Sequence, residues 1–191
     1  MTTQNGRVLG GIDGVRSRLQ STIVAVFLSC LTLQAQETNV TDPWAPFQFL
    51  LGKWSGIGSG HPGEVINGST SFSFDLGKRI ILRKNKAEYP PEAGGTSNVV
   101  HEDLMIIYSK PTDSKFHAVY FDNEGHVFNY TVTVLTNPPG LVFDSIGTSD
   151  GMRYRLFHKL GEKGTLITEF LIAPPGGDYK MYVRGLLKKD Q

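Results

Sequence analysis

One cysteine is all this 191-residue chain has, and Cys30 sits inside a short apolar run near the N-terminus. Downstream of it no thiol is available to close a disulfide, to hold a metal as thiolate or to act as a nucleophile. Charge of one sign is also missing. With 19 basic against 18 acidic residues the formal net charge is +1, and no basic run carries interleaved aromatics, so nucleic acid is excluded as an expected partner. The segments "GTS" and "GST" lack the flanking glycines of a nucleophile elbow, and no Walker loop occurs. The run "GIGSG" opens no helix and is no dinucleotide fingerprint.

A long hydrophobic run is absent as well. The apolar segment Thr22 to Leu33 has 12 residues, too few to span a bilayer comfortably as a helix. It is preceded by Arg16 and Arg18 and followed by "QAQE" with the small residue Ala35. Basic flank, short apolar run and small residue are the parts of a secretory signal. Residues 1–36 are therefore expected to be an export segment and residues 37–191 a single domain, periplasmic or secreted, with no stable membrane span after processing. The environment "FLSC" before Cys30 is similar to a lipoprotein lipobox, and lipid anchoring through Cys30 is the alternative fate.

What the chain does have is strand and turn. Ten segments rich in β-branched and aromatic residues run from Lys53–Gly60 and Glu64–Leu76 through to Thr165–Ala173 and Tyr179–Lys188. Turn clusters such as "LGK", "DNEG", "NPPG", "GEKG" and "PPGG" separate them. Only the piece around Phe47 to Leu51 looks helical. The expected fold class is all-β, an up-and-down antiparallel barrel of about ten strands with a short helical plug before the first. In "KWSGIGSG" an extended strand places Trp54, Gly56, Gly58 and Gly60 on one face, a bulky anchor followed by bare backbone. Glycines in that register mean a bend or a close approach by another element.

A meander brings alternate loops to the same end of the barrel. One end collects "LGK", "SKPTDSK", "TNPPG" and "LGEKG" with the segment "PFQFLL", and is expected to be closed by Phe47, Phe49, Leu50 and Leu51. The other end collects the loops that carry His61, Glu88 and Tyr89, then His101, Glu102 and Asp103, then Asp122, Glu124 and His126, and finally Arg153 and Tyr182. This end is expected to be the mouth. His117 and His158 are read as lying away from it.

Within that set, "HED" places His101 and Asp103 on one strand face, and "YFD" does the same for Tyr120 and Asp122. Imidazoles beside oriented carboxylates suit ligand binding, and they also suit a metal or general acid–base chemistry with His101, Asp103 and His126. Spacing does not choose among these, and hydrogen bonding along a barrel rim accounts for the same residues. Arginines inside strands usually point to solvent. One or two of Arg83, Arg153, Arg155 and Arg184 turned inward would hold an anionic head group, with Arg83 and Arg153 taken into the binding set.

The run "FLLGKWSGIGSG" resembles the first strand of the nitrobindin-like and fatty-acid-binding-protein-like calycin barrels, with a weak likeness from Phe47 to Lys189. "HEDL" and "YFDNEGH" are similar to segments of exported bacterial proteins of unassigned function. The resemblance implies a barrel that encloses a small, partly apolar ligand without catalysis. Nitrobindin binds haem through a histidine near the start of its last strand, and the matching place in "YKMYVRGLLKK" holds Tyr182. Haem is thus implied by the family and questioned by this residue, although tyrosine also ligates ferric haem. The ligand-binding set expected from sequence is Arg83, His101, Asp103, Tyr120, Asp122, His126, Arg153 and Tyr182.

Overall fold

The computed structural model describes residues 42–59, 65–91, 95–111 and 113–191. Residues 1–36, expected from sequence to be an export segment and containing Cys30, and His61 lie outside the described residues. Ten strands follow in order: β1 Gly52–Ser59, β2 Val65–Asp75, β3 Ile80–Tyr89, β4 Val99–Ser109 and β5 Phe116–Asp122, then β6 Val127–Thr136, β7 Pro139–Ile146, β8 Arg153–Leu160, β9 Leu166–Ala173 and β10 Lys180–Lys189. Each pairs antiparallel with the next, and β10 returns to β1 with Trp54 opposite Lys189 and Ser59 opposite Arg184. The result is a closed ten-stranded up-and-down barrel, as the strand and turn pattern leads one to expect. Closure removes the two free edges that an open meander would expose. Among the described residues no helix is long and apolar enough to cross a membrane.

Alternation along each strand sorts side chains between lumen and solvent. On β4, Asp103, Met105 and Ile107 are buried while Glu102 is exposed; on β3, Ile81, Arg83 and Ala87 are buried while Lys84 and Lys86 are exposed. The face is set by position in the pleat, so Arg83 and Asp103 go inward with their apolar neighbours. Their burial is tolerable only because they meet each other.

One end is closed by a 3-10 segment, Ala45–Leu50. Three residues per turn align positions three apart, and Trp44, Phe47 and Leu50 are the buried side chains of the plug. Phe49 and Leu51, expected to share that role, are only half-buried and pack at its margin. Trp44 and Phe47 both meet Phe116, with ring centroids 5.1 Å and 4.6 Å away. Trp54 is 2 % exposed, and its indole N–H donates to the Leu50 carbonyl at 2.7 Å, tying β1 to the plug. Two places further on, a Cβ at Gly56 would lie 2.8 Å from Leu187 Cα and closer still to the Leu186 carbonyl oxygen. The β1–β2 register also shifts between Gly56 and Gly58. Glycine is required there because the backbone of β10 approaches and the strand bends.

Candidate functional site

The other end of the barrel opens into a cavity of about 740 Å³. Its lining divides by strand. From β3, β4, β5 and the β5–β6 turn come Arg83, Asn85, His101, Asp103, Tyr120, Asp122, Glu124 and His126; from β6, β8, β9 and β10 come Phe128, Tyr130, Tyr154, Phe170 and Tyr182. One wall is polar and charged, the other aromatic.

The polar wall is a continuous set of hydrogen bonds. At depth, Arg83 Nη1 meets Asp103 Oδ1 at 2.5 Å, with the two side chains 5 % and 3 % exposed. Asn85 Nδ2 donates to Asp103 Oδ2 at 2.9 Å. These residues come together because Asn85 faces Asp103 across the β3–β4 ladder and Arg83 lies two places along on the same face. His101, two residues nearer the mouth, has Nδ1 2.9 Å from Glu124 Oε1 and Nε2 3.1 Å from the Tyr120 hydroxyl, with Asp103 Oδ2 at 3.5 Å. Tyr120 donates in turn to Asp122 Oδ2 at 3.2 Å. Asp122 Oδ1 accepts the backbone N–H groups of Glu124 and His126 at 3.1 Å and 2.8 Å, and its Oδ2 lies 2.9 Å from His126 Nδ1. The β5–β6 turn is thus built around Asp122, and this side chain fixes where Glu124 and His126 stand.

Protonation follows from these contacts. Asp103 first, and Glu124 after it, raise His101 to about 9 against the opposing cost of burial. His101 is therefore an imidazolium near neutral pH, donating from both nitrogens. The Asp103 carboxylate acts across a long 3.5 Å contact, whereas Tyr120 is the nearer partner of the same nitrogen; its charge outweighs the shorter neutral bond. Burial is the largest influence on Asp122 and would raise it, but the His126 amide and imidazole together with the Tyr120 hydroxyl prevail, and Asp122 is held below the usual carboxylate range. The Tyr120 phenol is pushed far up, by burial first and then by Asp103 and Asp122, so it remains protonated.

Of the residues expected from sequence, Arg83, His101, Asp103, Tyr120, Asp122 and His126 come together on this wall. Tyr182 stands at the rim on the aromatic side, 39 % exposed, its ring edge-on to Phe170 at 6.0 Å. Arg153 does not join them. Tyr154 takes the inward position at the start of β8, so Arg153 is left outside, where it donates to the Gly177 carbonyl and lies over the Tyr179 ring at 5.1 Å. Arg83 does turn inward, yet Asp103 neutralises it, so neither arginine stands free for an anionic head group.

The sequence pattern did not single out Asn85 or, Tyr182 apart, the aromatic wall. It placed His158 away from the mouth, and His158 does lie outside the cavity lining. His158 is fully buried, 3.0 Å from Thr168 Oγ1, edge-on to the rings of Phe72 and Phe143. Burial, with Arg83 adding to it, holds its pKa well below the ordinary histidine value, so it is neutral. Its Nε2 and Arg83 Nε are buried without a hydrogen-bond partner among the described residues. The alternation Tyr154, Leu156, His158 is visible in "RYRLFHKL" and was the signal available.

Ligand atoms of His101, Asp122 and Glu124 all lie within 4.8 Å of one another, near enough to share one cation. Each of the three is already engaged within the hydrogen-bonded set described above. A haem fits less well. Residues that hold an iron ligand in position normally include a second partner bonded to it, and among the described residues none hydrogen-bonds the Tyr182 hydroxyl. Tyr182 is 39 % exposed at the rim, with nothing among the described residues to orient its oxygen toward an iron.

No protein-family model matches the chain, and no curated protein matches it. Among solved structures, the crystal structure of Rv2717c from M. tuberculosis is similar with a TM-score of 0.54 and 13 % sequence identity, covering 78 % of this chain and 98 % of that one. At that identity the likeness is one of fold. It supports the β-barrel fold.

Proposed function

We propose that this protein is an exported, calycin-like binding barrel that encloses a small, partly apolar molecule in its lumen and does so without chemical turnover. The observation that carries the reading is the two-walled cavity of about 740 Å³, aromatic on one side and hydrogen-bonding on the other. That volume falls in the range of small-molecule sites, which pair apolar surface with a few placed polar groups. The deep charges are paired with one another, as in Arg83–Asp103–Asn85, with Arg83 Nε left without a partner among the described residues, and such pairing suits a preformed site better than a reacting one. Export is supported by the basic flank and apolar run of residues 16–33.

The test is to release and identify small molecules that copurify with the protein, by native mass spectrometry and solvent extraction, and then to fill the lumen. Ala87 is buried and lines the cavity near its mouth. Ala87→Trp should abolish copurification while circular dichroism stays that of the wild type. Undiminished binding in that folded variant would place the ligand elsewhere and refute the reading.

A further inference from the structure

We infer that the lumen selects an organic cation, an amine or comparable positively charged group carried on an aromatic or otherwise apolar body. The inference deepens the binding reading above and rests on it.

The charges that face the cavity are unequal. Asp103, Asp122 and Glu124 are carboxylates; Arg83 and His101 are the cations against them, even with His101 counted as imidazolium. Lys86 borders the cavity but belongs to the outer side of β3, where its Nζ lies 3.8 Å from both Glu88 and Glu102. Arg153, the other arginine near the mouth, is turned away onto Tyr179. The imbalance is greatest toward the mouth. Arg83 and Asp103 cancel at depth, where their side chains are 5 % and 3 % exposed, whereas Asp122 and Glu124 have only the imidazoles of His101 and His126 beside them, with no arginine or lysine in ion-pair contact among the described residues. Glu124 shares Oε1 with His101 at 2.9 Å, while its Oε2 has His126 Nδ1 at 3.8 Å, and that nitrogen is already 2.9 Å from Asp122. One carboxylate oxygen therefore stands at the entrance without a close cationic partner.

The opposite wall favours the same sign. Phe128 and Tyr154 have centroids 4.4 Å apart, and Tyr154 and Phe170 lie parallel at 6.0 Å with an interplanar angle of 1°. Aromatic faces carry the negative side of the ring quadrupole and attract ammonium groups, more strongly once water is excluded. A cation seated between this wall and the Asp122–Glu124 turn gains from both. An anion would add a fourth negative charge to a lumen that already holds three, and would meet no free arginine.

Three probes of matched shape decide it: 1-naphthylmethylammonium, 1-naphthalenemethanol and 1-naphthoate, titrated calorimetrically at pH 7 and low salt. The ammonium probe should bind about tenfold more tightly than the alcohol, and the carboxylate most weakly. Glu124→Gln, at the exposed end of the set, and Asp122→Asn should each narrow the ammonium-to-alcohol ratio. Arg153→Ala should leave it unchanged. Thermal melts of each variant show that the barrel is intact. Equal affinities for the three probes, or tightest binding of 1-naphthoate, would leave the lumen as the binding site and overturn the cation preference. A ratio unchanged in folded Glu124→Gln and Asp122→Asn would overturn it too. If none of the probes binds, the lumen reading fails and this inference falls with it.

Discussion

Replacing Asp103 with Asn removes one charge and little volume from the most buried ion pair in the barrel. Arg83 then keeps a full charge on a side chain 5 % exposed, without the carboxylate 2.5 Å away that justified its burial. A second penalty comes from the amide. Asp103 Oδ1 accepts from Arg83 and Oδ2 from Asn85, so whichever oxygen becomes an NH₂ group points a donor at a donor. Breaking a buried pair from one side costs about 3–5 kcal/mol. At roughly 2–4 °C per kcal/mol for a domain of this size, the melting midpoint should fall by about 6–20 °C. Urea denaturation with an unchanged m-value is the assay, since it separates a loss of stability from a change in the unfolded state. The double variant Arg83→Met with Asp103→Leu should recover most of the loss, because an apolar pair of similar volume needs no desolvation offset. A cost below about 1 kcal/mol for Asp103→Asn, or a double variant as damaged as the sum of the singles, would show that the pair is solvated and the inward register of β3 and β4 wrong.

Trp54→Ala should cost about 3–5 kcal/mol, since the side chain is 2 % exposed and its N–H bond to Leu50 is lost as well; a loss under about 1 kcal/mol in chemical denaturation would deny its burial. His101 is raised from 6.5 to about 9 in the folded state, so its stabilising contribution is complete below pH 6.5 and is lost as pH climbs through 9. Denaturation midpoints measured from pH 6 to 9.5 should decline in the wild type and flatten over that window in His101→Gln, and parallel curves would refute the assignment. Ferric haem added to the purified protein should give no saturable Soret change, and Tyr182→Phe should not alter that; a stoichiometric haem spectrum abolished by Tyr182→Phe would reverse the judgement on the rim.

The architecture was readable because turn residues and period-two alternation are local signals, and a meander leaves few ways to connect ten short-looped strands. "KWSG" announced a buried anchor and a close approach, and Gly56 against Leu187 is that approach. The polar wall was legible where one strand carried two members of it, as with His101 and Asp103. What failed was the sign of the pleat for single residues. Arg83 follows three apolar residues in "IILRKN" and Arg153 stands between Met152 and Tyr154 in "GMRYRL", and neither local pattern says which way the arginine points. One is inward because Asp103 sits on the adjacent strand, and the other outward because Tyr154 takes the inward place. That choice depends on the neighbouring strand's register, which no single segment contains. His158 was rightly read as away from the mouth, but its burial was not legible for a related reason, its surroundings being Phe72, Phe143 and Thr168 from three distant stretches of chain.

An even number of antiparallel strands brings the chain back to where it began. The polypeptide enters at the plug before Gly52, and leaves beside it, where the Asp190 amide donates to the Lys53 carbonyl at 2.9 Å. Both attachment points therefore lie at the base and the entrance is opposite. A lipid, a resin or a fused fluorescent protein joined directly ahead of residue 42 or after residue 191 is attached at the floor of the cup, on the side away from the opening. Immobilised arrays and tandem fusions of the barrel domain can be built from either of these two points with the entrance left on the opposite side.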